Sequence, residues 1–263
     1  MIAAFEGWND AGEAATHAVE YLVEHWDAAR FATIDPEEFY DFTTTRPDVE
    51  IRDGDVHTIC WPENHFHFTS DAGHTDVILV RGIEPQLKWR TFCAQVLDVA
   101  EAAHARLVMT LGALLADVPH TRPTSVFGTS YDPHVIEALH LEPSSYEGPT
   151  GIVGVLHAEC RERGLNSASL WAAVPSYVAS APSPKATLAL VDRVSRMLGV
   201  TVSMDALELA STAYEQQINE LVSEDVETQS YVHHLEEQHD RDQTAVATVD
   251  ELVDEVERFL REQ

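Results

Sequence analysis

Buried-strand patterns alternate with helical patterns along the first two hundred residues, and this alternation limits the fold more than any other feature of the sequence. The runs at 77–80 and 169–174 are short and apolar, which is typical of strands buried on both faces. Apolar residues at helical spacing follow each run, over 87–105 and 184–198 respectively. Strands that alternate with helices form a mainly parallel sheet with helices on both faces. The pattern therefore predicts an α/β fold, a three-layer α/β/α sandwich with a mainly parallel sheet.

Capping residues indicate where three of the helices begin. Asn9 or Asp10 suits the N-cap of the first helix, Thr150 suits that of a helix over 151–163, and Ser183 suits that of a later one. A side-chain oxygen at the N-cap accepts a hydrogen bond from a free amide of the first turn. The three positions agree with the helices that the apolar spacing predicts.

An acidic helical extension follows the α/β region, because strand patterns stop after residue 203. Residues 205–263 contain 17 acidic residues and three arginines, a net charge of −14. One helical face would collect the apolar residues Leu207, Tyr214, Ile218 and Leu221. We therefore divide the chain into an α/β/α domain over 1–200 and an acidic helical extension over 201–263.

A second apolar stripe, over 249–260, predicts a last helix. Thr248 and Glu251 would form the capping box that starts this helix, after a polar break near 240–247. The apolar stripes of the extension need a partner, which is either the main domain or another subunit.

The net charge of −29, from 45 acidic and 16 basic residues, limits the classes of partner that the protein can bind. Such a surface repels phosphate backbones and anionic lipids, so we expect no nucleic-acid partner and no membrane partner. The amino terminus lacks a basic region before an apolar stretch, and no apolar stretch is long enough to span a bilayer. The three cysteines are widely spaced, which argues against a disulfide framework and a structural zinc site. We expect a cytoplasmic protein.

A polar loop follows the apolar segment that ends near residue 116. Asp117, His120 and Arg122 lie there beside two prolines. Residues of these types can orient a base, transfer a proton and bind an anion. Ligands of open α/β sheets bind at the carboxyl ends of strands, so the loop is a candidate site. The alternative is an ordered surface turn in which Asp117 caps backbone amides.

Two further polar segments could join this loop in one crevice. Glu84 and Arg90 follow the strand at 77–80, and Glu147 and Thr150 precede a helix whose free amides could receive a carboxylate or phosphate. The alternative at this helix is a simple cap whose glycines allow close packing. The candidate residues of the combined pocket are Asn9, Asp10, Glu84, Arg90, Asp117, His120, Arg122, Glu147 and Thr150.

Histidines between residues 57 and 74 raise the question of a metal site, because imidazole binds zinc, copper and nickel. They are His57, His65, His67 and His74. No carboxylate or cysteine stands at a spacing that would complete the ligand set, so we interpret them as half-exposed strand residues and expect no metal. The sequence also lacks a G-x-S-x-G elbow, an H-E-x-x-H helix and a phosphate-binding glycine loop. We therefore assign no catalytic residue and no cofactor.

Several long segments in order resemble the actinobacterial branch of the proteasome assembly chaperone 2 family. The resemblance covers about residues 2–199. The matching stretches are Gly7-Trp-Asn-Asp-Ala-Gly12, Gly82-Ile-Glu-Pro85 with Trp89-Arg90, the segment 112–123, Tyr146-Glu-Gly-Pro-Thr-Gly151 and Ser169-Leu-Trp-Ala-Ala-Val-Pro175. This resemblance implies a three-layer α/β/α fold similar to that of purine nucleoside phosphorylases. It also implies self-association, because members of the family commonly associate. A homo-oligomer, with a trimer as the specific expectation, follows from the similarity of fold.

The family resemblance implies a role in assembly and leaves one alternative open. In eukaryotes the namesake helps to assemble the proteasome ring together with a related chaperone. The first hypothesis is therefore a non-catalytic oligomeric assembly or scaffold protein that binds itself and proteasome subunits or another protein. The alternative is a binding protein or enzyme for a phosphate- or carboxylate-bearing metabolite in the crevice, although no phosphorylase catalytic residue can be matched. Whether the chain is an enzyme stays open, and we favour a protein without enzymatic activity.

Overall fold

The computed structural model describes residues 1–52, 56–73, 75–179 and 181–261, and it describes the side chains of the last helix up to residue 243. These residues form ten strands and seven α-helices. The strands are β1 (Ile2–Glu6), β2 (Ala29–Ile34), β3 (Asp48–Arg52), β4 (Val56–Cys60), β5 (Asn64–Ala72), β6 (Thr75–Ile83), β7 (Val108–Ala116), β8 (Val126–Ser130), β9 (Glu142–Pro143) and β10 (Ser167–Pro175). The α-helices are α1 (Ala14–His25), α2 (Trp89–Ala102), α3 (Pro133–Leu139), α4 (Ile152–Arg163), α5 (Pro184–Leu198), α6 (Asp205–Ser223) and α7 (Val226–Arg261). Strands and helices alternate in most of the chain, but β2 to β6 follow one another without an α-helix between them.

Eight strands form one sheet in the order β2-β5-β6-β1-β7-β10-β8-β9. The four central strands β6, β1, β7 and β10 are parallel to one another. On the flanks, β5 and β8 run antiparallel to their central neighbours. Because the central strands are parallel, the loops after all four of them lie at the same edge of the sheet. This edge is where the predicted candidate residues are concentrated.

Helices cover both faces of the sheet. Successive residues of a strand point to opposite faces, so Ile2 and Ala4 enter the core beneath α1 and α5. Ala3 and Phe5 enter a second core beneath α2 and α4. Burial on both faces is why the central strands are continuously apolar. The predicted three-layer α/β/α sandwich with a mainly parallel sheet is confirmed.

The predicted helix start at Ser183 is correct and that at Thr150 is wrong. The predicted start of the first helix is correct in part, because Asp10 precedes the 3-10 helix Ala11–Glu13 and α1 itself begins at Ala14. Asp10 Oδ1 accepts a hydrogen bond from the amide of Ala15 in the first turn of α1, at 2.7 Å. Ser183 caps α5 through the amide of Ala186. Thr150 does not cap α4; that helix begins instead at Ile152, whose amide donates to the Glu84 carboxylate at 2.7 Å. A residue 68 positions away in the chain supplies the cap, and local spacing cannot reveal it.

The chain ends in the helical extension that the sequence predicts, and α6 and α7 pack together as a helical hairpin. Leu207, Tyr214 and Ile218 are buried as expected, whereas Leu221 is exposed and Val222 takes the buried place. The polar break predicted near 240–247 is wrong, because α7 runs continuously from Val226 to Arg261. The side chains of the proposed capping box, Thr248 and Glu251, lie outside the described residues.

Strands β3 and β4 form a separate two-stranded sheet. Val49 pairs with Ile59, and both side chains share a face with that of Ile51. These three apolar side chains are all exposed, with Val49 at 58% and Ile51 at 64%. In the described part of the chain, no helix is long and apolar enough to cross a membrane.

Candidate functional site

The loop after β7 contacts the helical hairpin rather than an open crevice. It begins at the carboxyl end of β7, as the sequence predicts, and reaches α6, α7 and the short 3-10 helix Ser176–Val178. Beside this helix lies a small apolar cluster in which Tyr214, Ile218, Val222 and Val232 are buried. The loop is therefore part of the surface on which the extension docks.

His120 is the centre of this contact and is buried. Its Nδ1 lies 2.8 Å from the hydroxyl of Tyr177, and its Nε2 lies 3.1 Å from Oδ1 of Asn219 on α6. The backbone amide of His120 also donates to the Tyr177 hydroxyl, so this hydroxyl is free to donate its own proton to Nδ1. Nε2 then carries the ring proton and donates it to Asn219. Burial lowers the pKa of His120, which favours this neutral form.

Asp117 and Arg122 bind the same hairpin from either side of His120. Asp117 accepts hydrogen bonds from Ser176 and from the hydroxyl of Tyr231 on α7, at 3.0 Å and 2.8 Å. Arg122 makes a two-pronged contact with Asp240 on α7, in which both nitrogen–oxygen distances are 2.8 Å. The three side chains that resemble catalytic groups in the sequence are thus all engaged in holding the carboxy-terminal helices.

A cavity of about 1130 Å³ lies at the same edge of the sheet, on another part of it. Its wall includes the loop after β1, the start of α4 and the strands β8 and β10. Four of the predicted pocket residues line it, namely Asn9, Asp10, Glu147 and Thr150. The loop residues Asp117, His120 and Arg122 lie outside its lining, so the three polar segments do not converge on one crevice.

Glu84 and Arg90 do not line the cavity either. Glu84 lies behind its wall, where its carboxylate accepts the amide of Ile152 at the start of α4. A side chain at Gly151 would place its Cβ 1.9 Å from Oδ1 of Asn9 and 2.7 Å from Oε1 of Glu84, so only glycine fits there. Arg90 is exposed at the start of α2. The helix terminus predicted to receive an anion therefore already holds the protein's own carboxylate.

The charges of the cavity wall are all negative among the described residues. The acidic side chains that line it are Asp10, Glu13, Glu142 and Glu147, and neither lysine nor arginine is part of the lining. Asp10 is bound to the first turn of α1 and to the hydroxyl of Thr16, and burial raises its pKa. This wall favours a cation over the phosphate or carboxylate that the sequence suggested.

His157 is the cavity residue that the sequence did not point to. It lies on α4, is only 4% exposed, and neither of its ring nitrogens has a hydrogen-bond partner. Its ring packs against Tyr131 with centroids 4.7 Å apart, and Arg161 covers the Tyr131 ring at 5.1 Å. Burial, with a smaller contribution from Arg161, lowers the pKa of His157 to about 4. Helical spacing shows only that His157 faces the sheet, and no signal in the sequence distinguishes it from an ordinary buried histidine.

The histidines considered as metal ligands are spread over two sheets. His65 and His67 lie on β5 with ring centroids 6.1 Å apart, and His57 lies on β4. His74 falls outside the described residues. Among the residues that the structure describes, no three histidine, cysteine, aspartate or glutamate side chains are close enough to hold a metal ion.

Comparison with known protein families identifies the relatives of this fold. The model of the PAC2 family matches residues 4–222, which includes every predicted pocket residue and most of α6. The chain belongs to the PAC2 family. No protein among those with curated functions matches it significantly.

Solved structures of other PAC2-type proteins agree with this assignment. A PAC2 family protein from Streptomyces avermitilis is 44% identical, with a TM-score of 0.82 over 88% of this chain and 98% of that one. The Mycobacterium tuberculosis proteasome-assembly chaperone homologue Rv2125 is 43% identical, with a TM-score of 0.79 over the same shares. The archaeal proteasome activator PbaB of Pyrococcus furiosus is 20% identical, with a TM-score of 0.66 over 84% of this chain and 91% of that one. At that identity the likeness concerns the fold alone.

Proposed function

We propose that this PAC2-family chain is a non-catalytic assembly protein that binds proteasome subunits. The observation that carries the proposal is its similarity, along nearly the whole of Rv2125, to a protein described as a proteasome-assembly chaperone homologue. The geometry supports a non-catalytic role, because the side chains Asp117, His120 and Arg122 are bound to the helical hairpin. A residue in such fixed contacts is poorly placed to reach a substrate.

The β3–β4 sheet supports a role in binding protein partners. A two-stranded sheet alone is marginally stable in water, and this one exposes the apolar face formed by Val49, Ile51 and Ile59. A second copy of the chain would bury this face, in keeping with the expected homo-oligomer and with a trimer as the specific proposal. In the apolar stripe of α6, Leu207, Tyr214 and Ile218 are not available for this purpose, because they pack on their own chain.

The strongly acidic surface limits which partners would bind. The net charge of −29 favours basic protein surfaces and disfavours nucleic acid and anionic membranes. Proteasome subunits are assembled in the cytoplasm, so the proposal includes a cytoplasmic location. The alternative enzyme hypothesis is less favoured, because the polar groups that it would use in the loop are bound to the helical hairpin.

Affinity capture from the source cell tests the proposal. The full chain, tagged and cross-linked in the cell, should enrich proteasome subunits by at least about tenfold over a tag-only control, a difference that corresponds to about 1.4 kcal/mol of selectivity. The double variant Val49→Thr/Ile51→Thr shows whether the apolar face takes part, and Glu50→Thr on the opposite face is its matched control. Recovery of a stable lone oligomer without any proteasome subunit would overturn the proposal.

A further inference from the structure

The cavity beside α4 combines negative charge with aromatic surface. Its aromatic side chains come from four separate parts of the chain, and Trp8 and Tyr146 are the most exposed of them. The aromatic residues of the lining are Trp8, Phe127, Tyr131, Tyr146 and Trp171. Aromatic faces attract cations through their negative quadrupole, and the carboxylates of Glu142 and Glu147 add direct charge attraction.

Two buried polar groups in this wall have no partner within the protein. Asn9 is only 9% exposed, and its Oδ1 accepts no hydrogen bond. Both ring nitrogens of His157 are also unpaired. Buried polar atoms are nearly always hydrogen-bonded, and leaving one unpaired destabilises the protein. Both residues line the cavity. Oδ1 of Asn9 packs against Gly151 beside Glu84, behind the wall, so His157 is the unpaired group that bears on a ligand. Its neutral ring keeps one nitrogen that can accept a hydrogen bond.

We propose that this cavity binds an organic cation, an amine or guanidinium attached to an apolar body. The cationic group would lie among the carboxylates, while the apolar body would contact the aromatic side chains. The volume of about 1130 Å³ is at the upper end of the range for small-molecule sites, so there is room for more than an isolated ammonium group. An anion would meet four carboxylates and no lysine or arginine of the described lining.

Two sources could supply this chemistry, a free amine or a basic side chain from a bound protein segment. The site is independent of the proposed assembly function, because a free amine could bind whether or not proteasome subunits do. Three probes share a phenyl ring and differ in charge, so their affinities show the effect of charge on binding. They are the cation phenethylamine, the neutral 2-phenylethanol and the anion phenylacetate. The capped dipeptide N-acetyl-phenylalanyl-arginine amide represents a protein segment.

Calorimetric titration of the full chain near pH 7 at low salt measures the four affinities. A change in tryptophan fluorescence that is reduced in the variant Trp8→Phe reports binding at the cavity. Phenethylamine should bind at least about tenfold more tightly than phenylacetate, a difference of about 1.4 kcal/mol, with phenylethanol between them. If the dipeptide binds more tightly than phenethylamine, the site is assigned to a protein segment. If phenethylamine binds more tightly, the site is assigned to a free amine. Either result supports the shared chemistry.

Matched variants locate the binding. Glu142→Gln/Glu147→Gln removes two exposed carboxylates of the lining and should weaken phenethylamine binding at least about tenfold, whereas Glu208→Gln/Glu220→Gln removes two exposed carboxylates of α6 and should leave it unchanged. His157→Phe keeps a ring of similar shape without nitrogens and should also weaken binding. The proposal is overturned if no cationic probe binds up to millimolar concentration, if phenylacetate binds as tightly as phenethylamine, or if both double variants behave alike.

Discussion

At the scale of single residues, the structure assigns His120 a role in holding the helical hairpin. The variant His120→Ala removes the side-chain hydrogen bonds to Tyr177 and Asn219, and Tyr177 keeps only the bond from the backbone amide of residue 120. We expect it to destabilise the docked hairpin by about 2 kcal/mol. Hydrogen exchange measured by mass spectrometry should show faster exchange in α6 and α7, with little change in the strands of the central sheet.

His134→Ala is the matched control for that variant, because His134 is exposed on α3. It should leave exchange in α6 and α7 unchanged. Arg122→Ala should have a smaller effect than His120→Ala, since its ion pair with Asp240 is largely open to solvent. Unchanged exchange in the His120→Ala variant would contradict the anchoring role.

His157 predicts a dependence of stability on pH. Its native pKa of about 4 lies below the usual value of 6.5, so below pH 6.5 the unfolded chain binds a proton that the folded chain does not. The stabilising contribution is complete above pH 6.5 and is lost as the pH falls toward 4, to a total of about 3 kcal/mol. Urea unfolding at several pH values should show a smaller loss on acidification for His157→Phe than for the parent chain.

The control for this experiment is His134→Phe, which removes an exposed histidine. Its stability should fall with pH as much as that of the parent chain. Other groups contribute to acid unfolding in all three proteins, so only the difference between them reports on His157. Equal losses for His157→Phe and the parent would contradict a buried, neutral His157.

At the scale of secondary-structure elements, α6 shows which apolar residues stabilise the extension. Ile218 is 3% exposed in the cluster beside the 3-10 helix, whereas Leu221, one turn further, is 60% exposed. Ile218→Ala should lower the free energy of unfolding by about 2–5 kcal/mol, because it leaves a cavity among packed side chains. Leu221→Ala should change it by less than about 0.5 kcal/mol. Urea unfolding compares the two, and equal effects would contradict the observed packing.

The elements themselves were largely predictable from the sequence, for a physical reason. Burial of β6 and β10 on both faces makes their sequences continuously apolar, and Ser183 and Gly199 mark the ends of α5 by local capping. The continuity of α7 was not predictable, because polar residues near 240–247 suit a solvated helix as well as a break. The cap of α4 by Glu84 depends on a contact between distant residues.

At the scale of the whole molecule, the β3–β4 sheet predicts self-association. Val49→Thr/Ile51→Thr keeps β-branched side chains but removes apolar surface that a second copy would cover. If each subunit loses about 1–2 kcal/mol of burial energy, the oligomer should dissociate at least about tenfold more readily. Analytical ultracentrifugation measures this, with Glu50→Thr as the control. A monomeric parent chain, or a double variant that associates like the parent, would contradict the prediction.

The candidate site was predictable only in part, because its residues come together through the fold. Asn9, Asp10, Glu147 and Thr150 meet in the cavity since the loop after β1 lies beside the start of α4. Asp117, His120 and Arg122 follow another central strand, but the extension covers them through Asn219 and Asp240, about a hundred residues away in the chain. Sequence spacing reports what a loop contains and not which distant helix packs on it.

Reconstitution of proteasome assembly tests the proposed role of this chain directly. Purified proteasome subunits of the source organism are mixed with and without the purified chain, and native mass spectrometry follows the assembled particles over time. We expect the chain to bind assembly intermediates and to increase the rate or yield of complete particles. Identical assembly in its presence and absence, with no complex between the chain and any subunit, would contradict it.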